Sequence, residues 1–223
     1  MFTPKNLKLF VFFTTLILAA MACAIPNLGG NSDGSLYRDD FSNTKTNWGV
    51  GTDADSSVEY VSDGLQFFVT TPNYFTWSNP GAETDFENIH VEVTVINRST
   101  DLNAAFGIVC HQQVTDSAHY YFAVTPNQQY AIAKAAVAQS DVFLTNSDQW
   151  ADSDLIPLNA KSYQIGADCG NGTLTLYVNG QQIATATDTT YTKGEVGLFA
   201  WSGEDTAGTT VVFDNFVVTS LGE

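Results

Sequence analysis

The sequence predicts an all-β protein in which two antiparallel sheets pack face to face as a sandwich. Three observations lead there. From Leu36 onward apolar residues recur with period two, and no stretch sustains the 3.6 period of an amphipathic helix. Asn, Thr, Gly, Ser and Asp are abundant while Lys and Glu are scarce, a composition of strands and tight turns. Turn residues also punctuate the chain at short intervals, which yields about a dozen strands within the length of one sandwich domain. A hydrophobic content of 44% and an aromatic content of 13% supply a sizeable core and argue against disorder.

The chain opens with Lys5 and Lys8, an apolar run from Leu9, and small residues before Cys23. This order reads as a secretory signal over residues 1–22. The run is shorter than the ~20 residues that span a bilayer. A cysteine directly after Ala20-Met21-Ala22 resembles the lipobox of bacterial lipoproteins, in which that cysteine is acylated and becomes the new N-terminus. The resemblance implies lipidation of Cys23 and an extracytoplasmic, lipid-anchored location at the cell membrane. Residues 24–35 are rich in Gly, Ser, Asn and Asp and read as a flexible tether.

Without Lys5 and Lys8, six basic residues remain against 24 acidic ones, a net charge near −18. Such a surface repels nucleic acid and anionic lipid headgroups, so nucleic acid is excluded as a partner and any membrane attachment must come from acyl chains. It suits neutral sugars, peptides or divalent cations. Cys110 and Cys169 are the two cysteines left after Cys23, and both lie in alternating segments. An even pair in an exported domain predicts a disulfide closing a loop of about 60 residues, worth about 3–4 kcal/mol through chain entropy.

Taken in order, the domain of residues 36–221 begins with a hairpin, Val58 to Val61 and Leu65 to Val69, around the turn Ser62-Asp63-Gly64. Ile89 to Val95 alternates cleanly, with His90, Glu92 and Thr94 on the outward face. Ala105 to Cys110 and Tyr120 to Val124 are apolar strands. Tyr130 to Lys134 returns from the turn at Thr125-Pro126-Asn127. The alanines of 134–138 permit helix, but a segment so short does not stand alone as one. Thr145 to Asn159 is polar around Trp150 and reads as a long loop. Tyr163 to Cys169 follows. Leu174 to Val178 then meets Asn179-Gly180, a strong hairpin signal because a type I′ turn needs positive φ at both central residues. Val196 to Trp201 and Val211 to Val218 close the domain.

Four motifs in this order carry a resemblance: Arg38-Asp39-Asp40-Phe41 followed by Trp48, Leu174-Thr-Leu-Tyr-Val-Asn-Gly180, Gly194-Glu-Val-Gly-Leu198, and Val212-Phe213-Asp214-Asn215-Phe216. Together they resemble the concanavalin A-like lectin and glucanase jelly rolls, including the laminin-G-like domains, over roughly residues 36–220. The resemblance implies that the opening and closing strands pair and that the sandwich is a jelly roll. The fold hosts lectins, glycanases and adhesion modules, so it does not choose among them.

Several groups are candidates for chemistry. Glu83-Thr-Asp85-Phe-Glu87 places three acids at spacing two, similar to the Glu-x-Asp-x-Glu signature of family 16 glycoside hydrolases. That resemblance implies Glu83 as nucleophile, Asp85 as its helper and Glu87 as acid/base, although the flanking Thr and Phe depart from the usual apolar pair. Asp39, Asp40 and Asp214, with Asn215, would converge if the end strands pair, and oxygen ligands of this kind suit calcium. Asp53, Asp55 and Glu59 form a second acidic group. His90, His111 and His119 are too scattered for a zinc site, with His119 read as an exposed strand-end residue. No Gly-x-Ser-x-Gly elbow is present.

Aromatics are the better lead. Tyr74, Trp77, Trp150 and Trp201 lie beside Asn, Ser, Pro or acidic residues, the pairing that sugar sites use to stack pyranose faces and bond hydroxyls. Trp48 reads as core. The expectation is a non-catalytic module that binds a glycan or another surface ligand. A glycoside hydrolase using Glu83 and Glu87, or a structural or adhesion module, are the alternatives.

Overall fold

The computed structural model describes residues 34–81, 85–204 and 208–222. Cys23, the leader, most of the tether and Glu83 lie outside the described residues. The domain is two antiparallel sheets. One has nine strands: β1 (Tyr37–Asp39), β2 (Gly51–Thr52), β3 (Ser56–Val61), β4 (Gly64–Val69), β6 (Ile89–Asn97), β12 (Ser162–Gly170), β13 (Thr173–Val178), β14 (Gln181–Thr187) and β16 (Thr209–Ser220). The other has seven: β5 (Phe75–Ser78), β7 (Ala105–Gln112), β8 (His119–Val124), β9 (Gln129–Ala135), β10 (Val142–Phe143), β11 (Ala151–Asp152) and β15 (Glu195–Trp201).

The larger sheet runs β14-β13-β12-β6-β16-β4-β3-β2, with β1 added to β16, so the opening and closing strands pair at Asp39 and Phe216. The smaller runs β10-β9-β8-β7-β15-β5, with β11 added to β9. Alternation sets the core. Ile89, Val91, Val93 and Val95 of β6 are buried while His90, Glu92 and Thr94 are half-buried on the outer face. Asn179 (φ 51°) and Gly180 (φ 75°) form the β13–β14 turn with the positive φ that their residue types favour.

Period two alone would turn Phe213 and Asn215 inward. Phe213 is indeed buried, but Asn215 is exposed and Phe216 and Val218 are buried. A bulge between Asp214 and Val217, with Asn215 at φ 52°, shifts the phase by one residue. Phe216 thereby meets Trp48 edge to face at 5.1 Å between centroids.

Cys110 on β7 and Cys169 on β12 form the disulfide, 59 residues apart in sequence. They lie on different sheets, so the bond staples the two layers through the core. The long loop of residues 145–159 forms as expected, apart from the two residues of β11.

Candidate functional site

Every residue of β7 and β8 is buried, so the middle of the seven-stranded sheet is covered on both faces. Its inner face, including Phe106, Ile108, Phe122 and Ile132, joins the main core. Ala105, Val109, Ala123, Ala131, Ala133, Tyr121 and Phe199 form a second cluster on the outer face. Small residues fill the middle of that outer face and large rings stand at its sides. Phe75 and Trp77 rise from edge strand β5 and Phe199 and Trp201 from β15. Phe143 and Trp150 come from the segment that folds back over β9. A depression of about 440 Å³ is left between them. That size lies within the usual range of small-molecule sites, about 300–1,000 Å³.

Trp77, Trp150 and Trp201 therefore share one cleft. Trp77 is 40% exposed. Trp150 and Trp201 lie nearly parallel, 22° between planes and 6.3 Å between centroids. The indole N–H of Trp201 donates to Asn73 Oδ1 at 3.1 Å, which fixes its ring. Tyr74 is not with them. It precedes Phe75 in the period-two register, so it points through the sheet and packs against the inter-sheet core.

Polar groups in the cleft are few: Asn73, Ser117, His119, Tyr121, Asp141 and Glu204. The Tyr121 hydroxyl donates to Asp141 Oδ2 at 2.9 Å. Burial first, then the charge of Asp141, pushes the phenol far above its ordinary value and keeps it a donor. His119 is not the exposed residue expected of a strand end. It is 6% exposed and stacks on Phe75 at 25°. Its Nδ1 donates to the Ser117 carbonyl at 2.7 Å, and its Nε2 has no partner among the described residues. Desolvation pulls its pKa down, so the ring is neutral at pH 7.

The other candidates lie elsewhere. Asp85 pairs with Lys193, and Glu87 is exposed beside a smaller pocket of about 240 Å³ that His111 also borders. Phe86 between them makes an isolated bridge to Gly194 and belongs to no strand. The proposed calcium ligands are engaged within the protein. Asp39 is buried and accepts from Phe41 N–H at 2.8 Å and Trp48 Nε1–H at 2.7 Å. Asp40 accepts from Ser42 N–H. Both Asp214 oxygens accept from Asn215, closing the β16 bulge. Asp53 caps its own turn through Asp55 and Ser56 N–H groups. Among the described residues no cluster of three His, Cys, Asp or Glu side chains is placed to hold a metal ion.

His111 is buried with Nδ1 3.1 Å from the Tyr191 carbonyl and Nε2 2.8 Å from that of Glu87. Only a protonated ring donates to both. Desolvation outweighs these carbonyls and lowers its pKa. On the outer face of the larger sheet, His90 Nδ1 and Asp168 Oδ1 are 2.6 Å apart, and the Tyr177 hydroxyl donates to the second oxygen. That hydrogen bond, aided by desolvation, pushes Tyr177 up to about 12.

No family model matches the chain. No curated protein matches it either. Solved structures do. The carbohydrate binding module CBM66 from Bacillus subtilis aligns with TM-score 0.58 and 17% identity over 78% of this chain and 96% of that one. A Bacillus subtilis protein of unknown function with a galectin-like fold aligns at 0.62 and 12%, over 84% and 96%. The Bacillus licheniformis beta-glucanase aligns at 0.56 and 14%, over 86% and 100%. The fold is the concanavalin A-like jelly roll. At these identities the likeness concerns fold alone.

Sequence reasoning missed Phe75, Phe199, Tyr121, Phe143, His119 and Asp141. For three of them the signal was present. Extending the alternation of Trp201 back along β15 reaches Phe199, and that of Trp77 along β5 reaches Phe75. Tyr121 shares a face with Ala123.

Proposed function

We propose that this protein is a glycan-binding module held outside the cytoplasm by lipid at Cys23, with residues 24–35 as its tether. The observation that carries the reading is the cleft: three tryptophans and further rings around a floor of small residues, with a few fixed polar groups. Flat rings supply contact area to the apolar face of a sugar, and Asp141, Asn73 and Glu204 bond its hydroxyls. The carbohydrate binding module and the glucanase that share the fold are consistent with this role, and lipid at Cys23 would present the cleft to glycans at the cell surface.

The test is a glycan array probed with the full chain in a sugar-free detergent. Trp77→Ala and Trp201→Ala should each weaken a hit tenfold or more, equivalent to about 1.4 kcal/mol, without loss of the folded state. Binding that survives both substitutions places the site elsewhere, and a blank array sinks the reading. The same samples, assayed for release of reducing ends, test the hydrolase alternative with Glu83 and Glu87. Cleavage abolished by Glu87→Gln would replace the binding reading with an enzymatic one.

A further inference from the structure

The charged groups that line the cleft are all of one sign. Asp141 and Glu204 are carboxylates, while none of the described lining residues is Lys or Arg. His119 supplies no fixed cation: the Ser117 carbonyl and Asp141 favour its charged form, but burial is the larger effect and lowers its pKa. The basic side chain closest in sequence to the floor, Lys134, lies between Ala133 and Ala135 on β9 but points to the opposite face. There its ammonium donates to Asp188 at 2.7 Å and Thr190 at 2.9 Å. Lys193 and Arg98 are paired with Asp85 and Asp63, away from the cleft. Asp141 accepts only from Tyr121 among the described residues, so one of its oxygens remains for a ligand. The surrounding rings present negative faces.

From this we infer that the cleft ranks glycans by charge, taking amine-bearing sugars best, neutral sugars next, and rejecting sugars that carry carboxylate, sulfate or phosphate. The inference rests on the glycan-binding reading and adds the ligand class. An ammonium group gains from the ring faces and from two carboxylates. An anionic sugar must bring its charge beside Asp141 or Glu204 with no cation to receive it, and the acidic surface adds long-range repulsion.

The experiment is an array carrying each sugar backbone in three forms: neutral, with a free 2-amine, and with a 6-carboxylate. The probe is the full chain in sugar-free detergent at low and high salt. The expected result is that the amine form of any neutral hit binds at least threefold tighter and the carboxylate form at least tenfold weaker. Both gaps should shrink as salt rises. Val137→Lys, which adds a cation at an exposed position of the cleft wall, should narrow the carboxylate gap. Equal or tighter binding of carboxylate forms overturns the inference while leaving the glycan-binding reading intact. Gaps that ignore both salt and Val137→Lys also overturn it, since shape would then set the ranking. A blank array overturns both.

Discussion

Replacing Cys110 and Cys169 together by alanine isolates what the inter-sheet staple does. In the chain-entropy model, a cross-link lowers the entropy of the unfolded chain by about 2.1 + 1.5R ln n cal/mol/K. With the cysteines 59 positions apart, that amounts to about 4 kcal/mol at 25 °C. Both cysteines are fully buried, so the substitution also removes some packing, and the entropic figure is a lower bound for the double variant. For a domain of this size, each kcal/mol moves the midpoint by about 2–4 °C, so the variant should melt roughly 8–16 °C lower. Urea unfolding of the oxidised protein, the reduced protein and the double variant separates the contributions. Reduced and oxidised forms should differ by the entropic amount with similar midpoint slopes. A difference below about 1 kcal/mol would refute the argument, showing that the unfolded chain is already restricted or that the native state strains the bond.

Other consequences are equally open to measurement. Gly107→Ala would place a Cβ 1.9 Å from the Phe122 carbonyl oxygen and 3.2 Å from Phe199, so it should destabilise by about 1–3 kcal/mol and distort the cleft, whereas Gly51→Ala meets nothing and should be neutral. An unfolding midpoint unmoved by Gly107→Ala would show that β7 and β8 shift freely. His111 and His119 both have pKa values lowered by folding, so below about pH 6.5 the unfolded chain binds more protons than the native one. Stability is then full above that pH and falls as pH drops below it, by at most about 1.4 kcal/mol per pH unit for each ring. Chemical denaturation between pH 5 and 7 should show this slope, and His119→Gln should reduce it; a flat profile contradicts it. Asp39→Ala strands the buried Trp48 indole N–H and should cost about 2–4 kcal/mol. Calcium that raises the melting temperature of the parent protein, but not of this variant, would restore the cation reading at Asp39.

The sandwich was legible because its signals are local and redundant. Asn179-Gly180, the β3–β4 turn and the alternation of β6 each specify a strand or hairpin without reference to the rest of the chain. That the opening and closing strands pair followed from the family resemblance of the ordered motifs; the register of Asp39 on Phe216 did not. The cleft was only half legible. Trp77, Trp150 and Trp201 stood out as aromatics in polar company, but which face each occupies depends on register. Tyr74 and Phe75 exchange roles because they are consecutive residues at the entry to β5. His119 looked like an exposed strand end because no local pattern reveals the cover that Phe75 and its surroundings provide. Asp39 and Asp214 drew attention as paired carboxylates. Only the geometry shows them spent on Trp48 and on a bulge.

The seven-stranded sheet divides two tasks between alternate residues of the same strands. Phe106, Ile108, Phe122 and Ile132 serve stability, while Ala105, Ala123, Ala131 and Ala133, one residue out of phase, form or underlie the cleft floor. On the proposed glycan-binding reading, enlarging an alanine on one face, a methyl group at a time, would reshape ligand preference with the other face left untouched. Recognition would then change while the architecture stays fixed.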